Sequence, residues 1–187
     1  KEYAGDGFTF LHGKCESFRS SISYWPLIQV LLAEDFRDSH ESQQLKSIIG
    51  LYLPDESVKE VFQNLPSDVL RKEIFSLTRE FLLAEAKKRP VIFVFEDIHD
   101  VDLASLDLIN FLLPLIYEGS VSLMIIARTE MPGPHRSLLK KAARICNDRY
   151  LSISFIELTR EDSYELIKEL LHTRTLPDAL LEIVEPF

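Results

Sequence analysis

The stretch Val91-Ile92-Phe93-Val94-Phe95-Glu96-Asp97-Ile98-His99-Asp100-Val101-Asp102 joins five consecutive β-branched and aromatic residues to four carboxylates and one imidazole. A continuous apolar run of this kind reads as a strand covered on both faces, as in a parallel sheet flanked by helices. In open α/β sheets ligands bind outside the carboxyl ends of the strands, which is where Glu96 and Asp97 fall. Acids there can hold a hard cation such as Mg2+, directly or through water, and one can orient an attacking water. Two adjacent acids are costly at such a place unless a metal or hydrogen bonds offset their desolvation. Glu96 and Asp97 are therefore the candidate catalytic and metal-binding pair. His99 can ligate a metal beside them or serve as a structural imidazole. Asp102 sits where a helix N-cap would be, so a capping role competes with a chemical one.

The surrounding pattern alternates short β-type runs with longer helical ones. Residues 8–13 read as a strand closed by Gly13, and residues 24–33 have helical spacing with Pro26 allowed in a first turn. A helix is expected over 41–51. The longest helical pattern follows Pro66-Ser67-Asp68 and runs to Lys88, with Val69, Ile74, Leu77, Phe81, Leu82 and Ala84 on the apolar face. Ser67 or Asp68 can cap it, and Pro90 ends it. Residues 102–117 are again helical, 121–127 form a second apolar strand, 134–146 a helix and 151–156 a shorter strand. Thr159 with Asp162 starts a helix through 172, and 177–184 is a final short helix. Strands alternating with helices give an α/β fold with a mainly parallel sheet. Arg128, just after strand 121–127, can reach a terminal phosphate or pair with Glu130 or the acidic cluster.

The chain has 187 residues and a formal net charge of −9, with 21 Lys and Arg against 30 Asp and Glu. No net attraction to nucleic-acid phosphates is expected. The local basic run from His135 to Arg144 reads as the solvated face of a helix or as a small anion patch. No apolar run approaches the roughly 20 residues of a membrane span, and residues 1–6 do not read as a signal peptide. Cys15 and Cys146, without CxxC spacing, read as buried thiols in a reducing, cytoplasmic setting. A chain of this size buries roughly 70% of its unfolded surface and needs no staple.

The segment VIFVFEDIHDVDLASLDLINFLLPL resembles the Walker B region of the signal-transduction ATPases with numerous domains, the STAND type of P-loop ATPase. The closest flavour is the AAA+-like module attached to class III adenylate/guanylate cyclases and LuxR-type regulators. The pattern is carried by Glu96, Asp97, Ile98, His99, Asp102, Ser105, Leu106, Asp107 and Leu108. FLHGKCESFRSSISYWPLIQVL, SLMIIAR and IELTREDSYELIKELL are similar to flanking parts of the same module. The resemblance implies a three-layer P-loop NTPase-like sheet of order 5-1-4-3-2. It implies ATP and Mg2+ as cofactors. Glu96 and Asp97 would act on Mg2+ and the attacking water, Arg128 would sense the γ-phosphate, and His99 and Asp102 would support the cofactor site. Two departures stand out. Asp100 replaces the family's Trp, and no GxxxxGK[ST] phosphate loop is present, Gly5-Asp6-Gly7 being the nearest candidate. Family order would put that loop, with the first strand, before Lys1, and a later Gly-Asn-Pro signature after Phe187.

The expectation is a piece of such a module: an α/β core over 1–157 lacking its first strand and phosphate loop, and the start of a small helical domain over 158–187. Alone it should bind ATP poorly and be inactive; within its parent it would be a nucleotide-dependent switch. Its partners would be other domains of the parent, with self-association a further option, and neither nucleic acid nor membrane. A non-catalytic interaction domain that keeps the fold is the alternative. A metal-dependent hydrolase built on residues 96–102 is a more distant one.

Overall fold

The computed structural model describes residues 7–33, 40–50, 66–128, 133–156, 158–173 and 175. The chain divides into two compact units, Lys1–Tyr150 and Leu151–Phe187. The first unit contains, in chain order, β1 (Thr9–Lys14), α1 (Trp25–Leu32), α2 (His40–Ile49), α3 (Ser67–Lys88), β2 (Val91–Glu96), α4 (Leu103–Leu112), β3 (Val121–Ile125) and α5 (Pro134–Cys146).

The strands form a parallel sheet in the order β1-β2-β3, flanked by helices, so the fold is α/β. Thr9 lies opposite Val91 and Lys14 opposite Glu96; Val91 lies opposite Val121 and Phe95 opposite Ile125. All three carboxyl ends therefore meet at one end of the sheet. This order agrees with the 4-3-2 part of the sheet that the resemblance implies.

Alternation along β2 sends Val91, Phe93 and Phe95 into the core, each at most 1% exposed, while Ile92 and Val94 are only half-buried. Phe10 and Met124, on the same face as Ile92 and Val94, are exposed. The even cover expected from the apolar run is thus not found. Apolarity at every position of a strand reports propensity for burial, not which face a neighbour occupies.

Helix α3 buries Ile74, Phe75, Leu77, Thr78, Phe81, Leu82 and Glu85, a stripe of three- and four-residue steps. Thr78 donates its hydroxyl to the Ile74 carbonyl at 2.6 Å, so its burial leaves no polar group unsatisfied. The expected Ser67 or Asp68 cap is not formed. Pro66 occupies the cap position, Ser67 is already helical, and Asp68 acts through its charge in the first turn. Gly13 lets α1 approach β1: a Cβ there would stand 2.5 Å from the Pro26 carbonyl oxygen.

The helix expected over 102–117 changes character at Pro114. α4 stops at Leu112 and a 3-10 turn runs over Leu113–Tyr117. Tyr117 donates its hydroxyl to the Cys146 carbonyl at 2.7 Å, anchoring the end of α5, which buries Leu138, Ala142 and Cys146. Cys15 and Cys146 are both buried free thiols.

The second unit contains α6 (Arg160–Leu170), with Thr159 at the N-cap as the sequence indicated and a capping box between Thr159 and Asp162. Residues 151–156 do not form the expected strand: they join no ladder, and Leu151, Ile153, Phe155 and Ile156 are 67–90% exposed. Alternating apolar residues supply strand propensity, but a strand exists only against a partner that accepts its hydrogen bonds. The helix expected over 177–184 lies outside the described residues.

Candidate functional site

β2 ends on Glu96, and Asp97 turns the chain away from the sheet with φ 55° and ψ 44°. That left-handed conformation is one that Asp tolerates better than most side chains. The turn is stitched to both neighbouring strands. Cys15 donates its N–H to the Glu96 carbonyl at 2.8 Å, Ile126 to the Phe95 carbonyl at 2.9 Å, and Ile98 to the Ile126 carbonyl at 3.1 Å. Ile98 is fully buried beneath the turn, which holds the acids at the carboxyl end of the sheet.

Both acids face side chains from β1, an imidazole and an ammonium. Glu96 Oε2 lies 2.9 Å from His12 Nε2, and Asp97 Oδ2 lies 3.4 Å from Lys14 Nζ. His12 and Lys14 are two residues apart, so strand alternation puts them on one face. Gln29 of α1 fixes the end of β1: its Oε1 accepts from the Lys14 N–H at 3.1 Å, and its Nε2 donates to the Lys14 carbonyl at 2.7 Å. The hydrogen bond to Asp97, then the charges of Glu96 and Asp97, raises the Lys14 pKa above its usual value. Sequence reasoning did not single out His12 or Lys14. The signal was nonetheless present, because parallel pairing brings the last residues of adjacent strands to the same end.

The remaining expected site residues separate into different environments. Asp102 caps α4: one oxygen accepts from the Ser105 N–H at 2.8 Å and the other from the Ser105 hydroxyl at 2.5 Å. The Tyr24 N–H, at the start of α1, reaches the same carboxylate at 3.4 Å. Both oxygens of Asp102 are therefore engaged, Oδ1 joining α1 to α4 and Oδ2 held by Ser105 within α4. His99 is largely buried; its Nε2 stands 3.6 Å from Asp100 Oδ2, and its Nδ1 is buried without a hydrogen-bond partner. Arg128 lies beyond the carboxyl end of β3, exposed and without an ion-pair partner among the described residues. Nearby, burial, aided by the charges of Asp102, Asp97 and Asp100, pushes the Cys15 thiol up to about 12, which disfavours its thiolate.

In donor chemistry, the Glu96 and Asp97 carboxylates fit a hydrated divalent cation whose other ligands would be water and phosphate oxygens. Among the described residues, no group of three or more His, Cys, Asp or Glu gathers as a self-sufficient metal cage.

No curated protein matches the chain, and no solved structure matches it. A family model described as an AAA ATPase domain matches residues 1–126, a span that includes the whole three-stranded sheet and the acidic turn after β2. With its parallel α/β sheet and its acidic pair at the carboxyl end of β2, the chain belongs to the AAA ATPase domain family.

Proposed function

We propose that this chain is part of a STAND-type ATP-binding module that acts as a nucleotide-dependent switch in a multidomain signalling protein. The attached domain would be of the kind found with class III cyclases or LuxR-type regulators. Residues 1–157 would form its α/β core and 158–187 would begin a small helical domain. The observation that carries the reading is the placement of Glu96 and Asp97 side by side at the carboxyl end of β2, inside the span matched by the ATPase family. Magnesium, when bound with the nucleotide, would supply Lewis acidity at the phosphate oxygens. Glu96 and Asp97 would hold its water shell and orient the attacking water. Arg128, exposed beyond β3, would stabilise negative charge at the terminal phosphate. Asp102 would act indirectly, by fixing the turn that carries Glu96 and Asp97.

The described residues hold no GxxxxGK[ST] cradle of backbone N–H groups and lysine. Residues 1–187 alone are therefore expected to bind MgATP weakly. Calorimetric titration tests this, alongside a natural chain extended upstream through a GxxxxGK[ST] segment. Binding by the extended chain and its loss in Glu96→Gln/Asp97→Asn support the reading. Sub-micromolar binding by residues 1–187 alone would overturn it, as would an extended chain that does not bind.

The hydrogen bond of Glu96 with His12 and the ion pair of Asp97 with Lys14 favour a second reading, a non-catalytic interaction domain. Acids already engaged by the protein's own side chains have less need of a metal. The same titration separates the two, since this reading expects no nucleotide binding by any form.

A further inference from the structure

β1 is an outer strand of the sheet, with β2 on one side and no strand on the other among the described residues. Thr9 and Cys15 donate their N–H groups to the Pro90 and Glu96 carbonyls, so the odd-numbered residues here bond toward β2. The even-numbered ones, Lys14 among them, turn N–H and C=O to the outer edge. There Gln29 of α1 takes the place of a neighbouring strand. Its Oε1 accepts from the Lys14 N–H at 3.1 Å and its Nε2 donates to the Lys14 carbonyl at 2.7 Å. A carboxamide carries the acceptor and the donor that this double bond needs.

The residue held in this way carries the ammonium that meets Asp97 at 3.4 Å. Both side chains of the pair are well exposed, Lys14 at 47% and Asp97 at 37%. Exposed pairs usually contribute little, because water screens them and a long side chain must be confined to one geometry. Here the backbone supplies part of that confinement. The Cys15 N–H ties the chain just past Lys14 to Glu96 at 2.8 Å, and Gln29 ties Lys14 itself from the other side. Lys14 therefore starts from a fixed point and loses less freedom in reaching Asp97. An ammonium held against a carboxylate competes with any cation that would bind there.

We propose that Gln29 is a positioning residue for the acidic turn. By clamping both backbone groups of Lys14 it keeps the ammonium against Asp97, and so sets how readily that carboxylate accepts a divalent cation. This rests on the reading of Glu96 and Asp97 as cation ligands. It makes α1 part of the site at two points, through the Tyr24 N–H on Asp102 at 3.4 Å and through Gln29 on Lys14.

Mn2+ binding to the 187-residue chain, read by electron paramagnetic resonance, tests this as a double-mutant cycle with Lys14→Met. Gln29→Met, similar in size and unable to make either bond, should tighten Mn2+ by about twofold to fivefold, less than Lys14→Met does. In the Lys14→Met background the same substitution should change nothing, because no ammonium is left to position. A merely structural Gln29 would shift both backgrounds equally or neither, and either result overturns the proposal. So does weaker binding by Gln29→Met. Gln29→Asn, whose amide is one methylene shorter and cannot keep both bonds, should act in the same direction, and circular dichroism of each variant checks its fold. Glu96→Gln/Asp97→Asn should abolish Mn2+ binding. Persistence of binding in that variant, or no binding by the unsubstituted chain, overturns the reading of the two acids as ligands and the proposal with it. Binding that is lost in that variant but indifferent to Gln29 overturns the proposal alone.

Discussion

Replacing Asp102 separates a capping carboxylate from a chemical one. Its oxygens accept from the Ser105 N–H, the Ser105 hydroxyl and the Tyr24 N–H. Asp102→Ala removes the N-cap of α4, worth about 1 kcal/mol. It also strands the Ser105 polar groups in a site where Ser105 is 3% exposed, at a cost of about 1–3 kcal/mol. Part of the two terms overlaps, since the Ser105 N–H is counted in both, so the expected loss is about 2–3 kcal/mol. Asp102→Asn keeps an acceptor oxygen toward the Ser105 N–H. It gives up mainly the favourable charge at the helix N-terminus, about 0.3–1 kcal/mol. The assay is urea unfolding followed by the emission of Trp25, the single tryptophan, which follows Tyr24 directly at the start of α1. Its indole donates to Glu16 at 2.9 Å, so its environment changes when this corner opens. The midpoint should fall far more for Ala than for Asn, at unchanged slope. An Ala variant within about 0.5 kcal/mol of wild type would refute the capping argument. So would an Asn variant as unstable as Ala.

Three further outcomes are expected. Gly13→Ala forces a Cβ to 2.5 Å from the Pro26 carbonyl and should lower stability by about 1–3 kcal/mol, measured by the same unfolding curve. Cys15 should resist a thiol reagent at pH 8 in the folded chain and react on unfolding; its folded pKa, about 12, lies above the ordinary value of 9.0. The sign follows from linkage: this contribution is fully present below pH 9 and is lost as pH rises toward 12, by up to about 1.4 kcal/mol per unit. Flat stability across that range would contradict it. Lys14→Met removes the cation 3.4 Å from Asp97 and should tighten Mn2+ binding by up to about tenfold, read by electron paramagnetic resonance. Unchanged affinity would mean that Lys14 does not compete for Asp97.

Much of the architecture was legible because its signals are local. The apolar run 91–95, the Pro26 first turn, the three- and four-residue steps of 74–85 and the Thr159–Asp162 cap each depend on neighbours a few residues away. Those features survive into β2, α1, α3 and α6 because tertiary packing agrees with them. The acidic turn was legible for the same reason, since an acid pair directly after an apolar strand needs no distant residue to be noticed. Residues 151–156 show the limit. Their alternation resembles that of a strand, but strand formation is a property of a pair, and no pairing is found among the described residues.

The sequence by itself therefore determined the order of strands and helices from β1 to α5, the α/β class and the position of Glu96 and Asp97 along the chain. Only the tertiary structure decided what those acids face. Lys14 lies 82 residues from Glu96 in sequence and is opposite it through the parallel register of β1 and β2. That register brings His12 and Lys14 to the acids, just as folding brings the Tyr24 N–H to Asp102. Local sequence specifies which residues are strand-forming or charged. Which charges meet depends on strand order and register, and those are settled by the packing of the whole sheet.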